Sequence, residues 1–255
     1  MILIDPPTWP AHGRLWSHVI SDTSLEELHD FARRVGIPER SFEGDHYDVP
    51  GERHGHLVAA GAVPVGNGEL VRVLRASGLR FRKRKGERPL ARVVDGLAAV
   101  GGPHVLDVVA SPHEPVPTSG ASVVLVADPT DWLVLVQSVG RAGWAPPGGK
   151  RDDHETPRVS AVREVQEETS LMLDPDRLVP VGYERITIAA GHERSPWDAG
   201  DNHIAVFGIR VRERLQVSPQ SDDILAAEWV DRPTVVERCA GEPWWPLVER
   251  FWSAS

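Results

Sequence analysis

The chain has 255 residues, 41% apolar and 25% charged, with a formal net charge of −9, enough apolar material for one large or two ordinary cores. No apolar run approaches the ~18 residues of a membrane span, and the start, Met1-Ile2-Leu3-Ile4-Asp5-Pro6-Pro7, lacks the basic and long apolar regions of a secretory signal. Cys239 is the single cysteine, which excludes an internal disulfide and leads us to expect a cytoplasmic location with no membrane partner.

In chain order, Ile2-Leu3-Ile4 reads as a short strand ending at Asp5. Ser24-Leu25-Glu26-Glu27 is a capping box ahead of Leu25, Leu28, Phe31, Ala32 and Val35 at helical spacing. Gly36 and Pro38 come next as stop signals, so a helix is predicted over 24–35. Residues 53–61 suit a helix, 61–65 a short strand, and 68–77 a helix capped by Asn67 and stopped by Gly78. Asp5, His18, Asp22, His29, Asp45, His46 and Asp48 are the residue types of a metal or hydrolytic site, but no pair has a diagnostic spacing. Capping and core hydrogen bonding are the alternative.

The basic run Arg80–Arg88 holds six positive residues and one negative. Contact with the phosphates of a nucleotide or of nucleic acid, and a solvated face near a domain end, are both open for it. A helix is expected over 89–100. Residues 101–120, rich in proline and glycine, read as a linker, or as a linker that lends one edge strand to the next domain. The expected domains are thus 1–100, a small α/β domain, and 121–255.

The first segment resembles a family of small, uncharacterised domains of bacterial and phage proteins. The resemblance is carried by the strand ending in Asp5, the His18…Asp22…Glu27-Leu28-His29…Phe31-Ala32 run, Gly36, and Asp45-His46-Tyr47-Asp48. It covers roughly 1–80 and implies no settled activity.

In the second half, residues 121–126 and 132–136 are β-branched runs joined by the turn Asp128-Pro129-Thr130-Asp131, a predicted buried hairpin. Strands are expected over 179–189, 203–211 and 226–230, and short helices over 234–239 and 247–252. The polar loop 191–203 offers Trp197 for base stacking and His192 or Arg194 for phosphate, or is a mobile hairpin tip. Residues 1–100 carry a net +1 and the remainder −10, so the second half is a poor electrostatic partner for nucleic acid.

Within that half, Thr156 is a predicted N-cap and Pro157 a first helical residue, opening a helix that runs to about Thr169. Glu164, Glu167 and Glu168 then share one face and repel one another. A hard cation such as Mg²⁺, which prefers carboxylate oxygens, would resolve that repulsion. This stretch resembles the box of the Nudix hydrolases, G-x5-E-x7-R-E-U-x-E-E-x-G-U with U apolar. Gly149, Glu155, Arg163, Glu164, Val165, Glu167, Glu168 and Leu171 match, and Ser170 departs from the pattern's glycine.

The resemblance covers about 120–253 and implies an α/β fold: an α/β/α sandwich around a mixed sheet. It implies hydrolysis of a nucleoside diphosphate linked to a further group, with Mg²⁺ as cofactor and Mn²⁺ as a substitute. Glu164, Glu167 and Glu168 would hold the metal with the carbonyl of Gly149, and Arg163 would pair with Glu155 or a box glutamate. The general base stays open between the box and a distant loop. Glu228 is either an extra metal ligand or an exposed strand carboxylate. Dimers are common in the family, so a homodimer is among the expected assemblies. Ser170 and the additional domain also motivate a different reading, a nucleotide sensor with little turnover whose first domain binds a partner or nucleic acid. A third reading gives the first domain phosphoester or nucleic-acid chemistry of its own.

Overall fold

Successive side chains on a strand point to opposite faces of the sheet, and this alternation organises both halves of the molecule. The computed structural model describes residues 1–97, 100–189, 191 and 197–254, and the chain divides into two units, Met1–Arg84 and Lys85–Ser255.

In the first unit, β1 (Ile2–Ile4), β2 (Trp9–Ala11), β3 (Arg14–Ser21), β4 (Tyr47–Pro50) and β5 (Val63–Pro64) form one sheet. β1 runs antiparallel to β3 and parallel to β5. Ile4 and Val19 cluster with Leu28, Phe31 and Ala32 of α1 (Leu25–Arg34) and Leu57 of α2 (His54–Ala59). Their neighbours Leu3 and Ile20 face the other way, onto Leu70 and Leu74 of α3 (Asn67–Ala76). The cap of α1 forms in half: Ser24 Oγ accepts the Glu27 N–H at 3.1 Å, but the Glu27 carboxylate accepts from Ser21 Oγ and the Met1 amine instead of closing the box. Asn67 is not the cap of α3. It is the first helical residue, and its amide donates to Thr8 Oγ1.

The second unit is built on β6 (Arg88–Val94), β7 (His104–Ala110), β8 (Ala121–Ala127), β9 (Leu133–Ser138), β10 (Gly148–Lys150), β11 (Val179–Ile188), β12 (Gly200–Arg210) and β13 (Ile224–Val230). Their order is β13-β9-β8-β12-β11-β7-β6, with β10 also on β8. β12 and β8 are parallel, and the other pairs are antiparallel. On one face, Ala161 and Val165 of α4 (Pro157–Thr169) pack with Val124, Val126 and Phe207. On the other, Val235 and Cys239 of α5 (Arg232–Cys239) and Leu247, Val248 and Trp252 of α6 (Trp245–Ser253) pack with Leu125, Leu133 and Leu135. This is the α/β/α sandwich around a mixed sheet. Among the described residues, no helix is long and apolar enough to cross a membrane.

Four expectations change. Residues 88–94 are strand and not helix, and 104–110 form an interior strand rather than linker or edge. The cause is nonlocal: Arg92, Asp107 and Arg185 lie opposite one another on β6, β7 and β11. Buried Asp107 accepts Arg92 Nε at 2.6 Å and Arg185 Nη2 at 2.5 Å. The boundary accordingly falls after Arg84, and residues 101–120 do not separate the units. Finally, the hairpin opens at once. β8 and β9 pair only at Ala127 and Leu133, where Asp128 Oδ1 accepts the N–H groups of Thr130 and Trp132. β9 then runs beside β13 while β10 takes the edge of β8.

Candidate active site

Helix α4 begins as its residues dictate, with Thr156 Oγ1 accepting the Val159 N–H at 3.3 Å and Pro157 in the first turn. It ends at Ser170, whose φ of 66° is left-handed. The hydroxyl there donates to the Ser218 carbonyl at 2.6 Å, with Ser218 Oγ at 2.9 Å. The serine thus keeps the terminating conformation that glycine serves in the box pattern.

Arg163 is the electrostatic hub. It grips Glu155 with two nitrogens at 2.9 and 3.0 Å and donates to Glu164 at 2.9 Å and Glu167 at 3.0 Å. It also reaches the Lys150 carbonyl at 3.0 Å. Glu155 raises the affinity of the guanidinium for its proton, and Arg163 in turn holds the Glu155 carboxyl below its usual range.

An open cavity of roughly 420 Å³ lies between this helix and the strand ends, lined by Ser138–Arg141, Gly148–Lys150, Glu164, Glu168 and Asp223. Glu168 is buried and accepts the Gly148 N–H at 2.8 Å. Burial pushes its pKa up to about 7, opposed by that N–H and reinforced by nearby Glu164 and Asp223. Burial also raises Glu164, against the pull of Arg163. Gly149 allows the close fit: a Cβ there would stand 2.6 Å from the Glu164 carboxyl. A buried and a partly buried carboxylate, both with raised proton affinity, make a place that favours positive charge.

The predicted residues are not all brought together. Gly149, Glu164 and Glu168 line the cavity, whereas half-exposed Glu167 is turned to Arg163 outside the lining. Glu228 is on the wrong side of the sheet. Its neighbour Trp229 packs with the α4 cluster, so Glu228 faces the α5–α6 layer and pairs with Arg238 at 3.1 Å. Trp197 is half-buried against the α5–α6 core. His192 and Arg194 lie outside the described residues. Asp223 is the site residue that no motif in the sequence announces. Its signal is slight, an Asp-Asp pair in a polar loop just before β13.

In the first unit, Asp5, His18, Asp45, His46 and Asp48 form a second cluster, and Asp22 does not belong to it. Asp22 sits at the far end of β3, paired with the Met1 amine. His29 is occupied by the Tyr47 hydroxyl at 2.7 Å. His18 Nδ1 lies 2.8 Å from Asp5 Oδ2, and His46 Nδ1 lies 2.5 Å from Asp45 Oδ1. The basic run is partly consumed locally, since Arg80 pairs with Asp45 and Lys83 with Glu43.

A family model described as "NUDIX domain" matches residues 116–250, and one described as "Protein of unknown function (DUF4031)" matches 2–77. Comparison with curated protein sequences gives no match. Among solved structures, an Ap4A hydrolase binary complex from C. elegans is 16% identical with a TM-score of 0.41, covering 52% of this chain and 95% of that one. A Bacillus subtilis pyrophosphohydrolase is 15% identical with a TM-score of 0.44, covering 59% and 91%. The E. coli dihydroneopterin triphosphate pyrophosphohydrolase is 18% identical with a TM-score of 0.43, covering 53% and 95%.

Proposed function

Since the chain belongs to the Nudix family and its matched half is a Nudix hydrolase, we propose that the second unit cleaves the phosphoanhydride bond of a nucleoside diphosphate derivative with Mg²⁺ as cofactor. The observation that carries this reading is the convergence of Glu164, Glu168 and Asp223 on one cavity, with both glutamates raised in proton affinity. The donor set fits a hard cation: Glu164, Glu168 and the Gly149 carbonyl would hold it, with Glu167 at the margin, and Mn²⁺ would substitute. When bound, the cation supplies neutralisation of the diphosphate charge and a lower pKa for the attacking water.

The chain's own residues do the rest. Water attacks one phosphorus, the bridging P–O bond breaks, and a nucleoside monophosphate and a phosphorylated second product leave. Asp223 is the carboxylate outside the box that lines the cavity, and it takes the proton from the attacking water. Arg141 and Lys150, in the same lining, bind the phosphate oxygens. Arg163 positions Glu155 and Glu164 and does not touch substrate.

The test is a panel of dinucleotides, sugar nucleotides and nucleoside triphosphates with Mg²⁺, monitored by phosphorus NMR. At least one compound should be split at its anhydride bond. Glu168→Gln should lower kcat by about 10³-fold, on the order of 4 kcal/mol. The amide oxygen can still accept the Gly148 N–H, so the melting temperature should hold. Unchanged turnover in that variant would remove Glu168 from the site.

A further inference from the structure

The pairing of β3 with β4 sets His18 directly opposite Asp48. Tyr47 and Val49 point into the α1 cluster, so by strand alternation Asp48 lies on the opposite face. His18, two residues before Ile20, lies on that same face. His46, just ahead of β4, brings its ring to within 5.1 Å of the His18 ring, edge to face.

Each imidazole is fixed from behind. Asp5 and Asp45 are almost fully buried and face the two Nδ1 atoms. Neither carboxylate is otherwise idle: Asp5 also accepts the Trp9 indole N–H and the His18 main-chain N–H, and Asp45 accepts the Phe81 main-chain N–H. A carboxylate can only accept, so it draws the ring proton to Nδ1 and leaves the lone pair on Nε2. This is the arrangement that outer carboxylates impose on metal-binding histidines.

The two Nε2 atoms then meet Asp48. Its Oδ1 is 3.2 Å from His46 Nε2 and 3.7 Å from His18 Nε2, yet it is buried without a hydrogen-bond partner of acceptable geometry. All three atoms lie within 4.8 Å of one another. With both ring protons on Nδ1, the three atoms converge as lone pairs and repel unless a positive charge sits among them. Around a tetrahedral ion with bonds of about 2.0–2.2 Å, neighbouring ligand atoms are roughly 3.3–3.6 Å apart, close to the two separations from Asp48 Oδ1, 3.2 and 3.7 Å.

The geometry points to a divalent transition-metal site in the first unit, with His18 Nε2, His46 Nε2 and Asp48 Oδ1 as ligands and Asp5 and Asp45 as their supports. Two imidazoles and one carboxylate suit Zn²⁺, Fe²⁺ or Co²⁺ and not Mg²⁺. Three protein ligands leave one position for water or an exogenous anion, the composition of a reactive centre rather than a closed structural one. The three side chains are each partly exposed, although Asp48 Oδ1 itself is buried. The proposal is independent of the chemistry of the second unit. It gives the sequence Asp45-His46-Tyr47-Asp48 a single purpose, with alternate residues serving metal and core.

The competing occupant is a proton that turns one histidine into an imidazolium. The experiment uses the full chain carrying Glu164→Gln and Glu168→Gln, which disables the box as a metal trap, stripped of metal and titrated with Zn²⁺ while the histidine ring nitrogens are observed by NMR. The expected result is one equivalent of Zn²⁺ bound in the presence of excess Mg²⁺, with the Nε2 signals of His18 and His46 moving together. Co²⁺ should give ligand-field absorption of tetrahedral intensity. His46→Gln and the near-isosteric Asp48→Asn should each weaken Zn²⁺ binding by about 100-fold or more. The ring signals are read without altering the site, so the outcome does not depend on these two variants folding. Zn²⁺ that leaves both Nε2 signals in place, or that binds equally to both variants, would overturn the proposal and assign the charge to a proton.

Discussion

Ser170 shows how a departure from a pattern is absorbed. A non-glycine residue in the left-handed region costs roughly 1–2 kcal/mol, and a net hydrogen bond returns about 0.5–1.5 kcal/mol; the Ser170 hydroxyl makes its bond to the Ser218 carbonyl. Ser170→Gly removes both the cost and the bond, so its stability should stay within about 0.5 kcal/mol of the parent. Ser170→Ala keeps the cost and loses the bond, and should be less stable by about 1 kcal/mol in urea unfolding. A Ser170→Ala variant as stable as the parent would mean that the bond contributes nothing. Glu184 makes a second case. It lies on the α5–α6 face of β11, and burial pushes its pKa from 4.5 up to about 7, with Arg141 opposing and Glu242 adding to the rise. The folded state therefore holds this proton more tightly than the unfolded chain. Stability from this group is intact below about pH 4.5 and falls as pH rises toward 7. Glu184→Gln should raise the melting temperature above pH 7 and change it little near pH 4, a difference of up to ~3 kcal/mol.

At the scale of elements, β10 and α4 must approach until Gly148 and Gly149 touch their neighbours, and the two glycines answer to different partners. A Cβ on Gly148 would sit 2.3 Å from the Ser122 carbonyl, main chain that cannot yield. A Cβ on Gly149 meets only the movable end of Glu164. Gly148→Ala should therefore unpair β10 from β8 and lower the melting temperature markedly. Gly149→Ala should keep the fold and lose at least about tenfold in kcat, because Glu164 is displaced. Equal effects on stability would contradict this division. The contrast also marks what was legible in the sequence. Helices α1 and α4 were readable because their caps and apolar spacing are local, and the box carboxylates were readable from spacing alone. β6 was not: Leu90-Ala91-Arg92-Val93-Val94 becomes a strand through Asp107 and Arg185, which are distant along the chain. The same holds for Asp223, which enters the cavity only through the pairing of β13, and for Glu228, whose face is set by which neighbour packs with α4.

For the molecule as a whole, the match to the family model begins at residue 116, but the second unit begins at Lys85. The difference contains β6 and β7. Without them, Arg185 would lose its buried partner Asp107, and β11 would become a bare edge. A fragment of residues 85–255 should unfold in one cooperative transition. A fragment of 116–255 should aggregate or melt without cooperativity, as read by calorimetry and size-exclusion chromatography. Matching melting curves for the two would show that β6 and β7 are dispensable.

The parallel contact between β8 and β12 has a consequence in time. Ala121 lies opposite Ile204, about eighty residues along the chain, whereas Val123 lies opposite nearby Gly148. Closing the longer loop costs more chain entropy before any contact rewards it. The turn, β10 and the start of α4 can therefore gather around β8 while the far strand is still searching. In a stopped-flow refolding experiment, substitutions at the β8–β10 contact should slow folding, and those at the β8–β12 contact should mainly hasten unfolding. The β10–α4 segment would then be placed early in folding, and the sheet beside it completed late.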